Sequence, residues 1–200
     1  MRDITKEEII LENGRVLLRP LLPSDVDHLL NFSLKERSLW TYYFISPDGS
    51  KDALSKFINV TCQEKLLGKE YPFIIFDKKT NEYAGSTRFY DINTTYNTAQ
   101  IGYTWYGSKF QRTGLNRNCK LLMLEFAFEQ WALERVGFMA DANNKPSVEA
   151  MKKIGCTVEG VLRSHMPTRD PEVRRDSIVL SILKREWEQT VKRRLLSRIH

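Results

Sequence analysis

The stretch FQRTGLNRNCK, residues 110–120, joins a segment with the pattern of a strand (IGYTWY, 101–106) to one with the pattern of a buried helix (LLMLEFAFEQW, 121–131). The junction brings Gly114 and a helix N-terminus to one point. The first N–H groups of a helix have no partner within it, and the helix dipole adds partial positive charge there. Glycine also lets a ligand approach the backbone closely. Residues 111–116 are therefore predicted to cradle a phosphate or pyrophosphate group or, as the simpler alternative, only to turn the chain.

The composition suits one globular domain. The chain has 200 residues, 42% of them hydrophobic, and its 7 prolines and 10 glycines are too few for a disordered or fibrous protein. The first residues lack the apolar core of a signal peptide, and no apolar run approaches the roughly 20 residues of a membrane span. The cysteines, Cys62, Cys119 and Cys156, form no close pair. A cytoplasmic protein without membrane association is predicted.

The formal charge of +6 is compatible with binding a polyanion. The densest basic run lies between residues 184 and 198, but Glu186 and Glu188 interrupt it, which indicates a solvated helix face rather than a nucleic-acid surface. The histidines are scattered and have no metal-ligand spacing. We therefore expect a small polyanionic ligand, and neither a metal nor a nucleic acid.

The hydrophobic periodicity predicts the element order β-α-α-β-β-β-α-β-α-β-β-α. Antiparallel strands followed by βαβ crossovers indicate an α/β fold, with a mixed, mostly antiparallel central sheet and helices on both faces. Ser24 is the expected N-cap of the first helix, and Leu66 is expected on the buried face of the second. Pro146 is expected near the start of the fourth helix and Gly155 at its end.

Several motifs, taken in order, resemble one family. The run QRTGLN (111–116) is similar to the phosphate motif Gln/Arg-x-x-Gly-x-Gly/Ala of the GNAT N-acetyltransferases. Around it, IGYTW, AFE, RVGFMADANNKPS, KKIGC and EGVLRSHM resemble the RimJ/RimL-like branch, the ribosomal-protein N-terminal acetyltransferases, in the same order and at similar spacing. The resemblance covers residues 14–187 and implies the GNAT acyl-CoA N-acyltransferase fold, as a single domain over residues 1–200 with a C-terminal helix at about 184–198.

By this resemblance the acetyl donor is acetyl-CoA, and loop amides cradle the pyrophosphate of coenzyme A. The residues that would supply them are Gln111, Arg112, Thr113, Gly114, Leu115 and Asn116. Asn116 stands where the motif has a small residue, which is tolerable because the backbone does the binding. Asn118 stands where close relatives often carry Glu, and its role is left open.

The resemblance further implies that the strand before the loop splays from its neighbour. Its free backbone groups, at Thr104, Trp105 and Tyr106, would then bond the pantetheine arm as an added strand would, and one N–H would face the thioester oxygen. The plainer interpretation is that Ile101, Tyr103 and Trp105 are an alternating sheet face. Both hold together, because backbone binding leaves the side chains free to pack.

Asn144 and Ser147 are the candidate catalytic residues. They lie three apart at the start of a helix, so they can share a face. In relatives the corresponding Asn bonds the pantetheine and the Ser lies near the sulfur; the alternative is that Asn143 or Asn144 is only a helix N-cap. Other branches carry a tyrosine acid where this chain has Met151, which cannot donate a proton. The proton donor is therefore expected to be Ser147 or a water that it holds.

The general base is left open among Asp91, Glu125, Asp141 and a water chain. An α-amine, with a pKa near ~8, needs less help than a lysine amine near ~10. His165 either lines the acceptor pocket or is structural.

The acceptor site of the family is built from variable segments, here residues 32–50 and 166–174. The first is rich in aromatic residues, namely Trp40, Tyr42, Tyr43 and Phe44, which either pack in the core or wall the acceptor site. Three arginines would repel a polycation if they face the pocket: Arg37, Arg163 and Arg169. This charge favours a small or weakly charged amine over a strongly basic peptide.

The predicted function is acetyl-CoA-dependent N-acetyl transfer to a primary amine, either a protein N-terminal α-amine or a small-molecule amine, by direct transfer. The protein would act as a monomer or homodimer. The alternative is a non-catalytic module that keeps the fold and binds coenzyme A structurally or as a signal.

Overall fold

The computed structural model of the chain describes residues 4–44, 47 and 49–199. The strands are β1 (Leu11–Glu12), β2 (Val16–Pro20), β3 (Tyr71–Asp77), β4 (Glu82–Asn93), β5 (Thr98–Tyr106), β6 (Arg135–Asp141), β7 (Thr157–Pro167) and β8 (Arg174–Leu183). The α-helices are α1 (Val26–Lys35), α2 (Lys51–Leu66), α3 (Leu115–Glu125), α4 (Lys145–Ile154), α5 (Lys184–Glu186) and α6 (Lys192–Leu196). A π-helical turn, Phe126–Gln130, extends α3, and a second, Trp187–Val191, joins α5 to α6.

The strands form one sheet in the order β1-β2-β3-β4-β5-β6-β8-β7. Neighbouring strands run antiparallel except for β5 and β6, which are parallel. The parallel pair is connected through α3, since a crossover is needed to return the chain to the same end of the sheet. The prediction of a mixed, mostly antiparallel sheet is confirmed.

Helical segments cover both faces of the sheet, as expected. In β4, Arg88 and Phe89 point to opposite faces, because successive side chains alternate along a strand. Arg88 Nη1 donates to Thr61 Oγ1 on α2 at 2.9 Å. Phe89 packs instead against Phe126 and Trp131, which follow α3, with ring centroids 6.0 and 5.3 Å apart. Thus α2 lies on one face and the α3 segment on the other.

Two details of the helices differ from the sequence-based expectation. The N-cap of α1 is Asp25, not Ser24, because a short 3-10 turn precedes the helix and the Asp25 carboxylate accepts from Leu22 N–H at 2.8 Å. Leu66 is 80% exposed, so the buried face of α2 ends before it, at Thr61 and Cys62. The last turn of α2 projects into solvent, where helical periodicity no longer reports burial.

The fourth helix follows the prediction. Pro146 occupies its first turn, and Gly155 ends it in the left-handed conformation with φ of 106°. The N–H groups of Gly155 and Cys156 donate to carbonyl groups of the last turn, at 3.0 and 3.1 Å. This firm C-terminal stop fixes the length of α4 and therefore the position of its N-terminus at the end of β6.

Strands β5 and β6 separate soon after they start. They pair over Thr98–Gln100 with Arg135–Gly137, whereas β6 continues to pair with β8 as far as Asp141. The second half of β5 therefore has an edge that faces β6 without bonding to it. Because the two strands are parallel, their C-terminal ends, which lead to α3 and α4, open on the same side of the sheet.

Candidate functional site

The loop before α3 has the geometry of an anion cradle. Gly114 is the N-cap of α3 in the left-handed conformation, with φ of 89°, and Arg112 is also left-handed, with φ of 61°. Thr113 Oγ1 donates to the carbonyl of Phe110 at 2.7 Å and tightens the turn. Among the described residues, no acceptor bonds the N–H groups of Arg112, Thr113, Gly114 or Asn116. These donors, at a helix N-terminus, are arranged to bind negative charge.

The side chain of Asn116 explains why a larger residue is tolerated in the motif. Its Oδ1 accepts from the Tyr106 hydroxyl at 3.1 Å, and Gln111 Nε2 donates to the Tyr106 carbonyl at 3.1 Å. Burial raises the pKa of the Tyr106 phenol well above its usual value, so it remains a neutral donor. Both loop side chains therefore hold the end of β5 and leave the loop backbone open.

The structure also gives Asn118 a role. Its Oδ1 accepts from Asn13 Nδ2 at 3.0 Å, and its Nδ2 donates to the Gly114 carbonyl at 3.2 Å. Asn13 in turn accepts from the N–H groups of Arg15 and Val16 at 2.9 and 3.0 Å. Asn118 is buried and ties the cradle to the turn between β1 and β2. A pairing between residues 105 positions apart has no signal in the sequence.

Two arginine side chains lie beside the cradle. The Arg15 guanidinium pairs with buried Asp77 at 3.0 Å and lies 3.5 Å from Thr113 Oγ1. Arg117 is also close, since its Nη2 lies 3.9 Å from the position that a side chain at Gly114 would take. Sequence reasoning did not identify Arg15, because it lies 98 positions before Thr113 in the chain.

Strand β5 carries a β-bulge where it opens. The register with β4 shifts between Ser86 and Arg88, and Tyr103 has a positive φ of 48°. The Trp105 carbonyl points toward β4, because its oxygen lies 2.0 Å from where a Cβ on Gly85 would be. By the alternation of a strand, the N–H and C=O of Thr104 face the open edge instead. Of the residues expected to bind pantetheine, Thr104 thus has its backbone on the side of the gap, the Tyr106 carbonyl accepts from Gln111, and the Trp105 carbonyl lies against β4.

Asn144 is the N-cap of α4, so this alternative from the sequence is observed. Its Oδ1 accepts from Ser147 N–H at 3.2 Å. Within the part of the chain that the structure describes, nothing bonds the half-buried Ser147 hydroxyl. Met151 is 8% exposed and belongs to the core face of α4. The hydroxyl of Ser147 therefore remains available at the helix N-terminus.

The candidate bases differ in their surroundings. Glu125 pairs with Lys192 at 3.2 Å, at the end of α3 away from the cradle. Asp141 is buried and accepts from Asn143 N–H at 2.8 Å, which shapes the turn into α4. Asp91 accepts from Gln100 Nε2 at 2.9 Å where β5 leaves β6. His165 is exposed, and its Nδ1 lies 3.0 Å from the Ser177 hydroxyl on β8.

A polar pair that the sequence did not suggest lies beside the bulge. The Arg88 guanidinium lies 3.6 Å from the centre of the Tyr103 ring and pairs with Glu70. Burial raises the pKa of Glu70, and the charge of Arg88 opposes the shift. Both residues lie on the α2 face, so Glu70 is a further carboxylate near the open end of β5.

The two variable segments that the sequence assigns to the acceptor site, residues 32–50 and 166–174, are in contact. Arg169 donates from Nε to the Tyr43 carbonyl at 2.9 Å and from Nη2 to the Trp40 carbonyl at 3.0 Å. The Trp40 ring packs on Trp105 with centroids 5.0 Å apart, and Tyr43 lies 6.3 Å from Tyr103. These aromatic residues form a wall over the α2-side face of β5 at the bulge. Residues 45, 46 and 48 of the first segment lie outside the described residues.

Two further observations bear on the class of protein. No helix among the described residues is long and apolar enough to cross a membrane. The described residues also contain no group of three or more His, Cys, Asp or Glu side chains that could hold a metal ion.

Comparison with known proteins gives one consistent family. The model of the GNAT acetyltransferase domain matches residues 15–157. A relative from Bacillus subtilis (strain 168), YdaF, bears a provisional name as a ribosomal N-acetyltransferase; it is 25% identical over 182 residues, which cover 88% of this chain and 95% of YdaF.

Two solved structures share the fold. One is a GCN5-related N-acetyltransferase from Brucella melitensis, with a TM-score of 0.89 and 22% identity over 98% of this chain and 87% of that one. The other is Mycobacterium smegmatis RimJ in complex with CoA-disulfide, with a TM-score of 0.79 and 20% identity over 95% of this chain and 93% of that one. The expected fold is confirmed. Because the family model matches well over half of the chain, this protein belongs to the GNAT family of N-acetyltransferases.

Proposed function

We propose that this protein transfers an acetyl group directly from acetyl-CoA to a primary amine. One observation carries the proposal: the loop with unpaired N–H groups, the open edge of β5 at Thr104 and the N-terminus of α4 all lie where β5 and β6 end. A long ligand with an anionic middle and an amide-rich arm fits this arrangement. The pyrophosphate binds the loop, and the pantetheine arm runs along β5 toward the bulge.

The reaction is an acyl transfer. The neutral amine nitrogen attacks the thioester carbonyl carbon, the C–N bond forms, and the C–S bond breaks with its electron pair on sulfur. The amine loses one proton and the sulfur gains one, so the exchange is balanced. Holding the two reactants side by side and stabilising the oxyanion with a backbone N–H at Thr104–Tyr106 supply most of the acceleration. Ser147 gives its hydroxyl proton, or that of a bound water, to the sulfur, and the proton released by the amine restores it.

Asn144 has two roles in this proposal. Its side-chain oxygen caps α4, and its Nδ2 donates to the pantetheine arm. The cap holds Ser147 at the helix N-terminus, where the partial positive charge also favours a developing thiolate. The two residues are therefore coupled, and removing the cap is expected to weaken both placement and turnover.

The acceptor is a primary amine bound against the aromatic wall, either a protein N-terminal α-amine or a small-molecule amine. The provisional name of YdaF supports the first. A weakly charged amine is favoured over a strongly basic peptide, since Arg169, which bonds backbone carbonyls, keeps positive charge at the wall. An α-amine with a pKa near ~8 is partly neutral at physiological pH and needs only weak base catalysis.

The proposal is tested by binding and turnover together. Acetyl-CoA at about 100 times its Kd should stabilise the native state by about 2.7 kcal/mol and so raise the Tm by about 5 to 10 °C. Thiol release is then measured with N-terminal peptides, polyamines, aminoglycosides and free amino acids. No thermal shift at millimolar acetyl-CoA contradicts the proposal. A shift without acetylation of any amine supports the alternative, a non-catalytic coenzyme A-binding module.

A further inference from the structure

Lys120, in the second turn of α3, is a buried cation with neutral partners. It is 5% exposed. Its Nζ donates to Thr104 Oγ1 at 2.7 Å and to Thr87 Oγ1 at 3.1 Å, and the two hydroxyl oxygens lie 2.7 Å apart. In the part of the chain that the structure describes, no carboxylate lies within ion-pair distance of Nζ. Fully buried lysines are rare unless they are paired, because desolvation opposes their charge.

The position of this cation is specific. Thr104 follows the bulge in β5, and its backbone faces the open edge that the thioester would occupy. Its side chain stands perpendicular to the sheet, toward α3, and accepts from Lys120. The ammonium therefore lies on the α3 face of the sheet, in contact with a residue whose backbone borders the open edge. A methionine or leucine would satisfy packing alone at this place, so packing does not account for the amine.

We propose that Lys120 is a positioning residue of the transfer site, and that its ammonium, held against Thr104, stabilises the negative charge that develops on the coenzyme A sulfur. The inference rests on the proposed function, because that function places the thioester at this edge. The C–S electron pair moves to sulfur, and the attacking amine loses the proton that balances the exchange. Lys120 keeps its own proton throughout and acts through the electric field in a low-dielectric site.

The groups around Lys120 do not cancel its charge. The titratable groups that act on it are the thiols of Cys119 on α3 and Cys156 after α4. Burial raises the pKa of Cys119 to about 11 and that of Cys156 further, so both are neutral below that pH. Asp77 on β3 acts on Cys119 and is itself paired with Arg15. Within the described ranges, the hydrogen-bond partners of its Nζ are the hydroxyl groups of Thr87 and Thr104.

Burial lowers the pKa of Lys120 from 10.5 to about 8. The ammonium is therefore present below about pH 8 and is lost above it. We expect turnover with an amine of low pKa to fall as the pH rises through this range, even though more of the amine is neutral. In Lys120→Met this alkaline decline should be absent.

The decisive measurement is the fraction of bound coenzyme A that is a thiolate at pH 7, where Lys120 is charged, followed by the ultraviolet absorbance of the thiolate. Lys120→Met removes the charge at similar length, and Lys120→Gln removes it while keeping a donor for the hydroxyl groups. At pH 7 we expect this thiolate fraction to be about tenfold lower in both variants than in the wild type, the equivalent of one pKa unit. Lys56→Met, the same change on the exposed side of α2, is the matched control and should leave it unchanged.

The outcomes are distinct. A thiolate fraction at pH 7 that is the same in the wild type, Lys120→Met and Lys120→Gln overturns the inference. A wild-type fraction in Lys120→Gln alone also overturns it, because that result would assign the effect to the hydrogen bond. If either variant fails to fold, by circular dichroism, the other gives the answer. If the wild type does not bind coenzyme A at all, the proposed function fails first, and that result is seen before any variant is made.

Discussion

Replacing Lys120 by methionine should make the protein more stable at neutral pH. The lowering of its pKa from 10.5 to about 8 by burial is also a cost to folding, because the charged form is disfavoured in the native state. At about 1.36 kcal/mol for each pKa unit, this corresponds to about 3 kcal/mol. Methionine removes that cost and fills a similar volume. In the variant, the hydroxyl groups of Thr87 and Thr104 lose their hydrogen bonds from the ammonium but keep the one between them, at 2.7 Å. This loss reduces the gain in stability by about 1 kcal/mol.

The sign of the pH dependence follows from linkage. The folded pKa is lower than the unfolded pKa, so between about pH 8 and 10.5 the unfolded chain binds more protons than the native protein. The stability of the wild type therefore rises relative to that of Lys120→Met across this window. The variant should be about 2 kcal/mol more stable at pH 7 and should have no advantage near pH 10.5.

Urea unfolding of the two proteins at pH 7, 8, 9 and 10 tests this, with Lys56→Met as a control for the loss of an exposed charge. All other titrating groups are shared, so they cancel in the difference between the variant and the wild type. A difference that is constant with pH, or a variant that is less stable at pH 7, refutes the reasoning. A stabilised variant that is also slower would show that the buried amine serves activity at the expense of stability.

The other predictions concern the cradle, the proton donor and the bulge. Gly114→Asp should weaken acetyl-CoA binding by more than tenfold, as measured by equilibrium dialysis. Gly114→Asn has a side chain of the same shape without the charge and tolerates a left-handed φ, so it should lose much less affinity. Equal losses of affinity would show that strain and not charge is responsible. Ser147→Ala should lower kcat by about tenfold or more and leave acetyl-CoA affinity within a few-fold, and unchanged kcat would remove Ser147 from the mechanism. Gly85→Ala should destabilise the protein by about 2 kcal/mol or more in thermal unfolding, because the new Cβ would lie 2.0 Å from the Trp105 carbonyl oxygen. Gly160→Ala is the control, because the space around Gly160 is open. Equal losses of stability in the two variants would contradict the packing argument.

Local physics explains what was predictable along the chain. The alternation of strands, the caps of α4 and the strand-loop-helix sequence around Gly114 depend on residues within a few positions of one another. Such signals survive in a single sequence because backbone propensity and hydrophobic period act over one or two turns. The fold class and the position of the loop before α3 followed from them, and the family followed from motifs in order. The predictions for Ser24 and Leu66 were wrong. A 3-10 turn precedes the first helix at Ser24, and the helix end that carries Leu66 is exposed to solvent.

The sequence by itself thus determined the class of the fold, the position of the loop before α3 and the helix start that carries Asn144 and Ser147. The tertiary structure alone decided which distant residues complete the site. Asn13 meets Asn118 across 105 positions, and Arg169 meets Tyr43 across 126. Lys120 shows the physical reason. In the sequence it is a lysine at the start of an apolar helical run, with nothing to distinguish it from other lysines. Its pKa is lowered and its hydrogen-bond partners are brought together only when β4, β5 and α3 pack and exclude water from its amine.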